Sequence, residues 1–180
     1  MWSTVMRKVS GSKIIIKHGL LDDPLLRDSL VARFVAHGIA AENVTCMGST
    51  SRHEHLLAFA KVDISLDTFP QNGGISTWES LYAGVPVVAK LGNGASSRAG
   101  GSIVAAVGLG DWVAEDDEGY AALACKYAAQ PTHLAKLRAE LSARIAASAA
   151  GNVEIYTRKV EAGYRRFWRD YCAVAPEGGT

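Results

Sequence analysis

Short runs of β-branched residues, each followed by a stretch with helical signals, decide most of what this chain can become. Lys13-Ile14-Ile15-Ile16-Lys17 is the first run. Asp22-Asp23-Pro24 then supplies an acidic cap and a first-turn proline, and the helix it opens is predicted to close at His37-Gly38. Further strands are predicted at residues 43–47, 62–66 and 85–89, with helices at 53–60 and 75–83 between them. Runs that are apolar throughout, rather than alternating, belong to strands buried on both faces. Strands of that kind joined by crossover helices form a parallel sheet with right-handed connections. The order β-α-β-α-β-α-β therefore predicts an α/β fold with a Rossmann-like, doubly wound parallel sheet.

From about residue 117 the character changes to a helical C-terminal extension. Windows rich in alanine, leucine and arginine at 118–129, 132–149 and 153–171 are separated by Gln130-Pro131 and Gly151-Asn152. Tyr156, Tyr164, Phe167, Trp168 and Tyr171 recur near helical spacing and are expected to face a core. A chain of 180 residues, 48% hydrophobic, is long enough to bury one core, so a single domain is expected over residues 1–175. Residues 176–180 read as a frayed tail. The opening segment 2–9 reads as a helix, and a chain that starts inside such an element is expected to be part of something longer.

Charge and cysteine content narrow the partners. With 19 Lys and Arg against 18 Asp and Glu, nothing favours nucleic acid or an acidic membrane, and any phosphate site must be local. Cys46, Cys125 and Cys172 are far apart and lack zinc or disulfide spacing, which fits a reducing compartment. No run approaches the roughly 18 apolar residues of a membrane span, and no signal-type segment follows Arg7 and Lys8. A soluble, cytoplasmic protein is expected.

In an open α/β sheet, ligands bind beyond the carboxyl ends of the strands, where helix N-termini present free N–H groups. The loop after the third run fits that role. Asn72-Gly73-Gly74 offers two glycines able to take positive φ, and the following helix offers the N–H groups of Ile75, Ser76 and Thr77 to an anion such as a pyrophosphate. At 100° per residue, Ile75, Trp78, Leu81 and Tyr82 form the apolar side and Glu79 lies on another, one turn inside the helix. Its carboxylate can accept two hydrogen bonds from the vicinal hydroxyls of a ribose. The same residues alone also read as a glycine turn followed by a solvated glutamate.

Two more loops reach the same edge. After the second run, Thr50-Ser51-Arg52-His53-Glu54-His55 offers Arg52 and His55 to a planar base, or simply a Ser/Thr cap with exposed residues behind it. His53 and His55 lack the i, i+4 spacing of a metal pair. After the fourth run, Ser96-Ser97-Arg98 leads into Gly100-Gly101 with one fixed positive charge at Arg98. The acidic run Glu115-Asp116-Asp117-Glu118 is read as a helix start.

Val62-Asp63-Ile64-Ser65-Leu66-Asp67-Thr68-Phe69-Pro70, then Asn72-Gly73-Gly74-Ile75-Ser76-Thr77-Trp78-Glu79-Ser80-Leu81-Tyr82-Ala83-Gly84-Val85-Pro86-Val87-Val88 and Ser96-Ser97-Arg98 form a long ordered pattern. It resembles the C-terminal catalytic half of the O-linked N-acetylglucosamine transferase family, in its bacterial SPINDLY-like branch, across nearly the whole chain. The resemblance implies the C-terminal domain of a GT-B glycosyltransferase. It implies that Thr50, Arg52 and His55 contact base and ribose, that Gly73, Gly74, Ile75 and Ser76 hold the diphosphate, and that Glu79 holds the ribose hydroxyls. Asn72, Thr77 and Arg98 are further candidates.

The implied activity is inverting transfer of N-acetylglucosamine from UDP-GlcNAc to Ser or Thr, without metal or cofactor. Its partners are the nucleotide-sugar donor, a protein acceptor, and an N-terminal catalytic domain with tetratricopeptide repeats. The catalytic groups and a phosphate-binding lysine are expected on that absent part. Animal relatives carry His-Thr-Thr where this chain has Gly74-Ile75-Ser76, and Lys where it has Arg52. Another donor, GDP-fucose or UDP-glucose, or a non-catalytic nucleotide-binding module, is therefore the alternative. An NAD-type domain is disfavoured because Lys17-His18-Gly19-Leu20 lacks the GxGxxG pattern.

Overall fold

The apolar runs become strands, and every strand pairs in parallel. The computed structural model describes residues 1–174; the tail at 176–180 lies outside the described residues. The elements are α1 (Trp2–Lys8), β1 (Ile14–Lys17), α2 (Pro24–Ala36), β2 (Val44–Met47), α3 (Arg52–Ala58), β3 (Ser65–Leu66), α4 (Ile75–Tyr82), β4 (Val87–Lys90), α5 (Ala99–Ala106), β5 (Val113–Ala114), α6 (Asp117–Ala128), α7 (Pro131–Ala147) and α8 (Val153–Val174).

The local chemistry explains the boundaries. Asp23 caps α2 by accepting from the Leu25 N–H, Pro24 occupies its first turn, and Gly38 follows its end at φ 79°. Ser51 and Glu54 close a capping box on α3. β3 is shorter than expected because Val62 closes a 3-10 turn at Phe59–Lys61, and its carbonyl accepts from the Arg138 guanidinium instead of a neighbouring strand. β5, only two residues long, carries too little pattern to be read from sequence.

β1 pairs with β2, while β3, β4 and β5 pair in that order. The expected continuous sheet is thus two parallel pieces, with no ladder joining β1 to β3. The main core lies on β4. All four of its residues are buried, with Leu81, Val104, Trp112, Tyr120, Leu137, Leu141 and Ile145 packed around them. Trp112 stacks on Tyr127, ring centroids 3.7 Å apart. A smaller cluster of Met6, Phe34, Ile39 and Val44 sits beside β2.

Two expectations about faces need correction. On α4 the packed residues are Thr77, Ser80 and Leu81, whereas Ile75 and Tyr82 are 77% and 61% exposed. Small hydroxyl side chains let this helix approach the sheet closely: the Ser80 hydroxyl meets that of Ser65 at 2.7 Å and donates to the Val85 carbonyl at 3.0 Å. On α8, Tyr156, Tyr164, Phe167, Trp168 and Tyr171 are exposed rather than in a core. The helix carries an apolar stripe that the described residues leave uncovered.

The contrast between α7 and α8 is testable by urea unfolding. Leu141→Ala, at a fully buried site, is expected to cost about 2–5 kcal/mol. Tyr164→Ala, 70% exposed, is expected to stay within about 0.5 kcal/mol.

Candidate functional site

The carboxyl ends of β3 and β4, and the loop after β2, converge on the start of α4. Gly74 is the N-cap of α4 and supplies no capping side chain. The first backbone amide of the helix to find an internal acceptor is Trp78, which donates to the Gly74 carbonyl at 3.2 Å. The N–H groups of Ile75, Ser76 and Thr77 thus carry the positive end of the helix without an internal partner. Such an end suits an anion.

What holds this end in place is Asp67, just beyond β3, which sequence reasoning passed over. Its Oδ1 accepts from the Thr68 N–H at 3.0 Å and the Gly73 N–H at 2.7 Å, pinning the turn from both sides. Burial pushes its carboxyl above the ordinary value, against the lowering effect of those two N–H groups. Among the described residues its Oδ2, like Asn72 Oδ1, is buried without a hydrogen-bond partner.

Asn72 is a brace rather than an open ligand group. It is buried, its Nδ2 donates to the Thr68 carbonyl at 2.9 Å, and its N–H donates to the Ser96 carbonyl at 2.9 Å. The loops after β3 and β4 are joined by that last bond.

The glycines work differently from expectation. Neither Gly73 nor Gly74 has positive φ. Gly73 is favoured by closeness: a Cβ there would lie 2.7 Å from both Ser76 Oγ and Thr77 Oγ1, and these hydroxyls would have to shift. At Gly74 a Cβ would meet nothing within 4 Å. Thr77 is buried and faces the packed side, while Ile75 and Ser76 are exposed at the mouth.

Across the cleft, α3 brings Arg52 and His55 to Glu79 of α4. Glu79 Oε2 lies 2.9 Å from His55 Nε2, and Arg52 pairs with Oε1. The Glu79 side chain is only 11% exposed. That burial raises its pKa, but the hydrogen bonds and charges of His55 and Arg52 outweigh it and hold the carboxyl below its ordinary value. The structure thus joins three residues predicted from two separate loops. Thr50 is exposed in the loop before α3, its hydroxyl donating to the Ser51 carbonyl at 3.3 Å.

Arg98 caps α5 and donates to the Gly92 carbonyl at 3.1 Å, bracing its own loop. Lys90, which sequence reasoning also missed, is buried at the end of β4, lies 3.4 Å from the centre of the Phe69 ring and pairs with Asp117. Phe69, Asp67 and Asn72 all belong to the turn ahead of α4, so this ammonium supports the same wall of the site.

The Asp67 tether gives a pH signature. A carboxyl with a raised native pKa holds its proton more tightly folded than unfolded, so its contribution to stability is lost as pH rises from the ordinary carboxylate range through the native value. Asp67→Asn keeps an oxygen acceptor without the ionisation. Between about pH 4 and about pH 8, urea unfolding is expected to show wild type losing stability relative to Asp67→Asn, with parallel curves refuting the assignment.

The comparisons with known proteins follow the same lines. The model of Glycosyl transferase family 41 matches residues 1–160. A rice protein named probable UDP-N-acetylglucosamine peptide N-acetylglucosaminyltransferase SPINDLY is 34% identical over 173 residues, covering 96% of this chain and 19% of the relative. Its Arabidopsis thaliana counterpart is 33% identical over 177 residues, with the same coverage of 96% and 19%. Among solved structures, a mutant of the Thermobaculum terrenum O-GlcNAc transferase aligns with a TM-score of 0.84 at 27% identity, over 97% of this chain and 34% of that one. The expected α/β fold is borne out by that likeness. The chain spans about a fifth of the length of the curated relatives it matches. With the family model matched across most of its length, the chain belongs to glycosyl transferase family 41.

Proposed function

We propose that this chain is the donor-binding part of an inverting protein O-glycosyltransferase that transfers N-acetylglucosamine from UDP-GlcNAc to Ser or Thr. The observation that carries the reading is the juxtaposition of the uncapped start of α4 with the Arg52, His55 and Glu79 cluster. The first suits a diphosphate. The second suits a nucleoside, with Glu79 accepting from ribose hydroxyls while His55 and Arg52 fix its orientation or turn to the base. The relatives' names, probable UDP-N-acetylglucosamine peptide N-acetylglucosaminyltransferases, support the same donor.

In the proposed reaction an acceptor hydroxyl oxygen bonds to the anomeric carbon as the bond to the diphosphate oxygen breaks. The electron pair leaves with the diphosphate. The N–H groups of Ile75, Ser76 and Thr77 are preorganised where that charge grows and need little rearrangement to meet it. The acceptor proton leaves to a base outside this chain. Retaining glycosyltransferases often place a second glutamate eight residues beyond the first; here that position is Val87, buried in β4, in keeping with inversion.

Calorimetry on this chain with UDP, GDP and NAD tests the reading. Saturable binding of UDP in preference to GDP and NAD is expected. Glu79→Ala is expected to weaken UDP binding about 10- to 100-fold, the size of a lost hydrogen bond to a charged group. A preference for GDP would move the donor, and UDP binding unchanged in Glu79→Ala would remove Glu79 from the grip.

A further inference from the structure

The helix that carries Arg52 and His55 is not held by a core. No residue of α3 is buried, and Leu56 and Leu57 are 40% and 55% exposed. An element with so few buried apolar contacts belongs to the least firmly held parts of a fold. Yet a side chain recognises a ligand only as well as the bonds behind it fix its direction. Polar bonds at the start of α3 must therefore do what packing does elsewhere.

Those bonds run back to the end of β1. Lys17 Nζ donates to the Gly48 carbonyl at 3.0 Å, and the Ser49 N–H donates to Asp22 Oδ1 at 2.9 Å. Carbonyl and N–H belong to one peptide group, so the plane of the Gly48–Ser49 peptide is gripped from both ends. The carboxylate lies directly on this backbone: a Cβ at Gly48 would fall 1.9 Å from Asp22 Oδ1 and 3.2 Å from the Asp22 nitrogen. Asp22 is itself tied down, its carbonyl accepting from Arg27 Nη2 at 3.2 Å.

Two residues on, the capping box continues the chain of bonds. The Ser51 N–H and hydroxyl donate to Glu54 Oε2 at 3.0 and 2.8 Å, and Arg52 is the next residue, the first of the helix. The hydroxyl and N–H of Ser49 hold the Asp22 carboxyl below its ordinary value, and those of Ser51 do the same for Glu54. Both carboxylates are thus charged at neutral pH, with the Lys17 ammonium attracted to each.

We propose that Asp22, assisted by Lys17, is a positioning residue for nucleoside recognition: by fixing the Gly48–Ser49 peptide it sets where α3 presents Arg52 and His55, and so how well the site tells one base from another. The inference rests on the reading of Arg52, His55 and Glu79 as the nucleoside grip. Asp22 acts through α3 alone. The start of α4 is held separately by Asp67, so loosening α3 alters discrimination between bases while leaving the anion end in place.

Calorimetry with UDP and GDP on wild type, Asp22→Ala and Asp22→Asn tests this. Asp22→Ala is expected to shrink the preference between the two nucleotides about 10-fold, the size of a lost hydrogen bond to a charged group. Asp22→Asn keeps an oxygen acceptor for the Ser49 N–H and is expected to retain most of the preference. A residue that merely supports the fold would weaken both nucleotides together, so an unchanged ratio in Asp22→Ala overturns the proposal and leaves the nucleoside reading standing. Equal loss in the Ala and Asn variants overturns it too, since the acceptor bond would then not be what matters. A wild type that binds neither nucleotide, or both alike, removes the nucleoside reading and this inference with it. Should Asp22→Ala fail to fold, Lys17→Met removes the other bond to the same peptide and is read in the same way, a reduced preference supporting the proposal and an unchanged one overturning it.

Discussion

Asp67 fastens the parts of this molecule that matter for its site. One carboxylate oxygen takes the N–H groups of Thr68 and Gly73, while the backbone carbonyl of the same residue accepts from Tyr120, itself bonded to Trp2. The turn ahead of α4, the C-terminal helical part and the first helix therefore meet at a single residue. Its second oxygen lies so close to α5 that a Cβ at Gly100 would fall 1.9 Å away. A buried carboxylate is an expensive way to hold a turn unless its bonds are well aligned. Here the geometry returns a helix start whose amides are free and whose position is fixed.

The Glu79 cluster is built on the opposite logic. Glu79, Arg52 and His55 are held by one another across two helices rather than by backbone. Charge pairing of this kind keeps Glu79 ionised without donors from its own helix, and it couples α3 to α4. A ligand that engages Glu79 must share it with Arg52 and His55 or displace one of them. The start of α4 is thus fixed through backbone groups, and the Glu79 cluster through side chains alone.

Much of this was legible in the sequence because the relevant signals are local. The β-branched runs, the cap at Asp23-Pro24 and the capping box at Ser51 and Glu54 each act within a few residues, and the corresponding elements appear where the pattern puts them. Glu79 and His55 could be brought to one sheet edge by topology alone. What could not be read depends on distant partners. Asp67 matters through Gly73, Tyr120 and Gly100; Lys90 matters through Phe69 and Asp117. The α4 face was misjudged because hydropathy favours Ile75 and Tyr82 over Thr77 and Ser80, whereas tight helix–sheet packing favours small side chains with satisfied hydroxyls. The α8 aromatics show the reverse limit, since helical periodicity reports a face without saying what meets it.

Gly73 and Gly74 are chain neighbours with opposite tolerances. At the first, any side chain collides with α4; at the second, a side chain would project into open space. A side chain at Gly73 thus requires the Ser76 and Thr77 hydroxyls to move, whereas one at Gly74 requires nothing to move. The surface beside the free amides of α4 can therefore change without disturbing the turn that holds them.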